Sequence, residues 1–145
     1  MTKGNAFNIT VFGSDIYVSG QYKGTDKVDY ACYWKNGELV TLEAAPDMAI
    51  GGANDIAVNG TDVYAVGYST TKDMTAQYDA CIWKNGKYES LSSDANAAIS
   101  NAKSVTVYDG KVYVAGTYNA NGIDTACYWV DGQRFDIALP EGAAK

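Results

Sequence analysis

Three versions of one tetrapeptide, Ala31-Cys32-Tyr33-Trp34, Ala80-Cys81-Ile82-Trp83 and Ala126-Cys127-Tyr128-Trp129, follow one another at intervals of 49 and 46 residues. The agreement extends in both directions. Upstream stand Ile16-Tyr17-Val18, Val63-Tyr64-Ala65 and Val112-Tyr113-Val114, each followed two residues later by Gly20, Gly67 or Gly116. Before them lie the apolar runs Ile9 to Val11, Ile56 to Val58 and Val105 to Val107. Downstream come Asn36-Gly37, Asn85-Gly86 and Asp131-Gly132, with Leu42, Leu91 and Ile137 five residues after each Gly. A period of 46 to 49 that holds this many anchors spans nearly all of the 145 residues. The fold must therefore be an array of three copies of one unit.

Each unit contains four short alternating segments, in the first copy near residues 8–12, 15–20, 29–35 and 38–42. Gly13, Gly60 or Gly110 joins the first two, and Asn-Gly or Asp-Gly joins the last two. These dipeptides tolerate the positive φ of a two-residue hairpin. The supply of Gly (15) and Tyr (12), with only 2 Pro, favours strands and tight turns. Four antiparallel strands at a period in the forties is the pattern of a β-propeller blade, a small twisted sheet that packs against its neighbours around an axis. The expectation is an all-β propeller, one repeat domain over 1–145, with blades near 5–50, 51–100 and 101–145. Trp34, Trp83 and Trp129 then fill the wedges between blades. Cys32, Cys81 and Cys127 are three copies of one site, too far apart for the ~4.4 to 6.8 Å Cα separation of a disulfide; they read as buried apolar side chains.

The repeat resembles those of bacterial propeller proteins whose blades carry a Val-Tyr-Val-x-Gly strand and an Ala-Cys-Tyr-Trp-Lys-Asn-Gly hairpin. Residues 31 to 37 match that hairpin letter for letter, and later copies depart from it at Ile82, Val130 and Asp131. The Gly-His and Trp-Asp pairs of WD repeats are absent, as is the double Gly that kelch repeats carry after the second strand. The resemblance implies a propeller with a binding role, no catalytic motif, and a bacterial secreted or cell-surface origin.

Three blades make a poor ring, because familiar propellers close with four to eight. Exposed sheet faces at the two ends would otherwise meet water. A homodimer of three plus three blades gives a six-bladed ring with a closed two-fold; a nine-bladed trimer is the other symmetric solution. Strand signals run from near Asn8 to near Leu139, so the copies look whole, and a half-ring excised or engineered from a longer parent would look the same.

A net charge of -6, with 11 Lys and Arg that never cluster, excludes nucleic acid and anionic membrane as partners. No apolar run approaches the ~20 residues of a membrane helix, and Met1 to Asn5 lacks the apolar stretch of a secretion signal, so a soluble chain is expected. With no His, a catalytic or metal site would rest on carboxylates. Asp26, Asp29, Asp73, Asp79 and Asp124 lie between the second and third strands beside Lys23, Lys27 and Lys72, as solvated loop charges do. No calcium-loop pattern occurs. The expectation is no catalytic residue, no metal and no cofactor. Binding should use the longer connections near 21–28, 68–77, 117–124, 43–53 and 92–103, which gather on one face of the array. Tyr22, Tyr68 and Tyr118, beside the repeated Gly, are the candidate ligand contacts for a glycan, peptide or protein. The alternative is a polysaccharide-acting enzyme, which would bring two acids about 5 to 9.5 Å apart in the mouth.

Overall fold

The computed structural model describes residues 3–71, 78–92 and 97–142, with the backbone alone at 97, 98 and 120. The first sheet contains β1 (Gly4–Phe12), β2 (Asp15–Lys23), β3 (Asp29–Lys35) and β4 (Glu38–Thr41). The second contains β5 (Ile50–Asn59), β6 (Asp62–Thr70), β7 (Asp79–Lys84) and β8 (Lys87–Ser90), and the third β9 (Ala97–Tyr108), β10 (Lys111–Ala120), β11 (Ile123–Val130) and β12 (Gln133–Asp136). Each sheet is a four-stranded antiparallel meander with its strands in chain order, so the chain is a β-propeller array of three blades. Among the described residues no helix is long and apolar enough to cross a membrane.

Local chemistry explains the regularity. Asn36 and Gly37 have φ of 51° and 85°, and the pairs Asn85-Gly86 and Asp131-Gly132 repeat this geometry, which makes each a two-residue turn that matches the twist of its strands. The innermost strand of each blade starts earlier than apolar alternation suggests. β1 reaches back to Gly4 through an irregularity between Ala6 and Asn8, and β5 has its counterpart between Ala53 and Asp55. A bulge inserts one residue and shifts the alternation by one, so a period-two reading stops there. The repeated Gly sits opposite: a Cβ at Gly67 would lie 1.9 Å from the Gly52 carbonyl oxygen, and one at Gly20 2.0 Å from that of Asn5. Only a residue without a side chain allows that approach.

Alternate residues of each blade point to opposite neighbours. Tyr17, Ala31 and Tyr33 of blade 1 pack with Ile56, Ala65, Cys81 and Trp83 of blade 2. In the same register Tyr64, Ala80 and Ile82 of blade 2 pack with Val105, Val114, Cys127 and Trp129 of blade 3. The Trp residues do more than fill space. Trp83 Nε1 donates to the Glu43 carbonyl at 2.8 Å, and Trp129 Nε1 donates to the Leu91 carbonyl at 3.0 Å. Each indole thus ties its blade to the end of the preceding one.

The end faces of the array carry the counterparts of these side chains uncovered. Ile9 is 62% exposed, whereas Ile56 and Val105, which occupy its position in the next blades, are 3% and 7% exposed. Ile137 is 45% exposed against 9% for Leu42 and 4% for Leu91. Val11 and Ile16 are also exposed on the first face, and Tyr128 and Phe135 on the last. Trp34 is only half-buried, and among the described residues no hydrogen bond is found for its indole N–H.

The three cysteines are free and buried. Burial pushes the Cys32 thiol up to about 12 and Cys127 up to about 11, from an ordinary 9.0, and holds Cys81 well above that value. The folded chain keeps protons that the unfolded chain releases. This contribution to stability is complete below pH 9 and is lost as pH rises toward 11 and 12. Iodoacetamide at pH 8 is expected to leave all three thiols of the native protein unlabelled and to label all three in denaturant, as read by mass spectrometry. Rapid native labelling would contradict the burial.

Candidate functional site

Loop length does not select one face as strongly as the sequence suggests. The third connection, expected as a loop at 117–124, is a turn of Asn121 and Gly122, with φ of 56° and 79°, between two long strands. Asn119 makes it possible: its side chain donates to Asp124 at 2.7 Å and accepts from the Gly122 N–H at 3.0 Å. Lys72, Asp73 and most of the second connection lie outside the described residues.

Tyr22, Tyr68 and Tyr118 are not brought together. Tyr22 and Tyr118 stand two residues after their Gly, but Tyr68 stands one residue after Gly67 and projects from the other side of its strand. Tyr22 stacks on Tyr30 with ring centres 5.5 Å apart. Tyr68 meets Tyr78 edge-on at 5.4 Å, and its hydroxyl donates to Gln21 of blade 1 at 3.2 Å. Burial, with Tyr78 and Asp29 nearby, raises the pKa of that hydroxyl. The Tyr118 hydroxyl donates to Asp136 at 3.1 Å while the Arg134 guanidinium lies 3.8 Å above its ring.

The candidate acids are similarly engaged. Asp29 pairs with Lys23 at 3.0 Å, Asp26 accepts from the Tyr30 hydroxyl at 2.7 Å, and Asp79 accepts from Tyr88 and Ser90 hydroxyls. Among the described residues no cluster of three His, Cys, Asp or Glu could hold a metal ion. Near the inner edge, buried Asp55 accepts four hydrogen bonds. One oxygen accepts from Asn8 of blade 1 and the Ile56 N–H; the other accepts from the Ser104 hydroxyl and Val105 N–H of blade 3, both at 2.8 Å. Its role is to join three blades. The aligned column Asn8, Asp55 and Ser104, polar in front of apolar runs, is the signal that could have revealed it.

Among the described residues, two spaces between blades are lined as follows. The one between blades 1 and 2, on the side of the longer connections, has a volume of about 20 Å³, room for no more than a water molecule. The one between blades 2 and 3 has a volume of about 240 Å³ and opens on the short-turn side, beside Gly110 and Gly132. Ile82, Leu91, Val112, Val114 and the buried Tyr64 ring form its apolar lining, and Lys84 and Glu89 are among its exposed charged residues. Strand register gives the reason for this position. Ile82 pairs with Glu89 on adjacent strands; the equivalent pair is Tyr33 with Val40 in blade 1 and Tyr128 with Phe135 in blade 3. An Ile where the other copies carry Tyr leaves a gap, and a Glu where they carry an apolar residue gives that gap a charged edge.

No family model and no curated protein matches the chain. Among solved structures the fold is similar to that of a fucose lectin from Kordia zhangzhouensis in complex with methyl-fucoside. The likeness covers 94% of this chain and 100% of that one, with a TM-score of 0.62 and 13% identity. A GH32 beta-fructofuranosidase from Bombyx mori, a mutant in complex with sucrose, is matched over 86% of this chain and 33% of that one, with a TM-score of 0.41 and 14% identity.

Proposed function

We propose that this chain is a non-catalytic, glycan-binding propeller module that completes its ring with a second copy of itself. The observation that carries the reading is the end-to-end likeness of the three-blade array to a chain that is itself a sugar-binding protein, a fucose lectin. The uncovered end faces supply the second half. Side chains that are buried twice within the chain are exposed once at each end, so the first face of one copy suits the last face of another. A two-fold ring buries both pairs of faces at once and has six blades. The non-catalytic part is supported by the candidate acids Asp26, Asp29 and Asp79, which are engaged by tyrosine and serine hydroxyls and by Lys23, and by Asp55, which is engaged in the contact between blades.

Light scattering after size exclusion, at several concentrations, is expected to give twice the 15.5 kDa chain mass; a mass of one chain would overturn the ring. A glycan array is expected to show binding, and incubation with the bound oligosaccharides is expected to release no product. Release of product would overturn the non-catalytic reading.

A further inference from the structure

The groove between blades 2 and 3 has the features of a ligand site, and we propose that it takes one neutral pyranose ring, once per chain. The inference deepens the glycan-binding reading above and rests on it. Size sets the first limit. A volume of about 240 Å³ falls just under the roughly 300 to 1,000 Å³ of pockets that enclose drug-sized molecules. One ring and its substituents fit, and the next sugar must lie outside.

The lining sets the chemistry. A pyranose has an apolar patch of ring C–H groups and a rim of hydroxyls. The floor of Ile82, Leu91, Val112 and Val114 meets the first. Glu89, for which no partner is found among the described residues, can only accept hydrogen bonds and so suits sugar hydroxyls. Lys84 sits 5.7 Å from the centre of the Tyr64 ring and supplies donors to the same groove. Asp131 adds a second carboxylate, whose Oδ1 accepts from the Val112 N–H at 2.9 Å. Two carboxylates against one ammonium make the groove net negative, which disfavours uronic and sialic acids.

The two residues that set this groove apart, Ile82 and Glu89, both come from blade 2. Tyr33 and Tyr128 hold the position of Ile82 in the other blades, and Tyr17 and Tyr33 lie against each other with centres 6.3 Å apart, where blade 2 has Tyr64 and Ile82. The repeat itself therefore supplies the test. Ile82→Tyr installs the side chain that the neighbouring blades carry, and Glu89→Val installs that of blade 1.

Methyl glycosides of fucose, galactose, glucose and mannose, with methyl glucuronide as the charged comparison, are titrated into the full chain. Methyl and aromatic NMR signals report the position, and calorimetry reports the stoichiometry. At least one neutral glycoside is expected to shift the methyl signals of Ile82 and Val112 with one site per chain, and the glucuronide to leave them unmoved. Ile82→Tyr and Glu89→Val are each expected to weaken binding at least tenfold, with solution mass and melting temperature retained. If a neutral glycoside binds and both variants keep its affinity, or if the shifts fall on Tyr22 and Tyr30 instead, the groove is wrong and glycan binding stands. If no neutral glycoside binds, the groove is overturned; a glycan array that is also silent removes the glycan reading with it, whereas a positive array leaves that reading intact.

Discussion

Val11→Asp is expected to turn the proposed two-chain particle into a folded single chain, read as a halving of solution mass with β-sheet circular dichroism unchanged. Val11 is exposed in the isolated array, so a carboxylate there costs the chain's own fold little. In a closed ring it would stand where Val58 and Val107 stand between blades, partly buried and packed against the apolar clusters. Full burial of an Ile or Val is worth roughly 1.5 to 3 kcal/mol; Ile9, Val11 and Ile16, already partly covered, gain a part of that each, and a charge in their midst opposes the gain. Val58→Asp is the comparison. It introduces the same charge inside the chain and is expected to unfold it rather than dissociate it. A Val11→Asp protein that keeps the two-chain mass would show that this face is not the seam.

Asp55→Ala is expected to be the most damaging substitution of a polar residue in the chain. It removes an acceptor of four hydrogen bonds that reach into all three blades and strands two backbone N–H groups in a buried place. Each buried donor left unsatisfied costs about 1 to 3 kcal/mol, so two stranded N–H groups cost about 2 to 6 kcal/mol, which corresponds to a fall in melting temperature of roughly 10 °C or more for a chain of this size. Asp124→Ala, which loses an exposed contact with Asn119, is expected to cost under about 1 kcal/mol. Equal melting temperatures for the two variants would refute the central role given to Asp55.

The repeat made the blades, the hairpin turns and the buried Trp column legible, because each is a local pattern written three times. What it hid was whatever depends on one strand's relation to another. The sequence places the start of the first inner strand near Asn8 because the bulge at Phe7 inverts the apolar alternation. The third long loop vanished because Asn119, Asn121 and Asp124 close a tight turn that shares no motif with the other two copies. Tyr68 aligned with Tyr22 and Tyr118 by proximity to Gly, yet one residue of offset reverses the side of a strand. Ile82 is visible in the sequence as a departure from Tyr, but the space left by the smaller side chain shows only when blade 3 is set against blade 2.

A pocket carried by one blade in three has a further consequence. In a ring of two chains the pair of groove mouths would be diametrically opposed and open toward the same side, since both lie beside short turns. Such a particle is bivalent. Against scattered soluble sugars it would behave as two weak, independent receptors; against a dense glycan coat the second contact becomes intramolecular, and avidity can exceed single-site affinity by roughly 10² to 10⁴ when the geometry permits both. Selectivity would then depend on how densely the sugar is displayed as much as on which sugar it is.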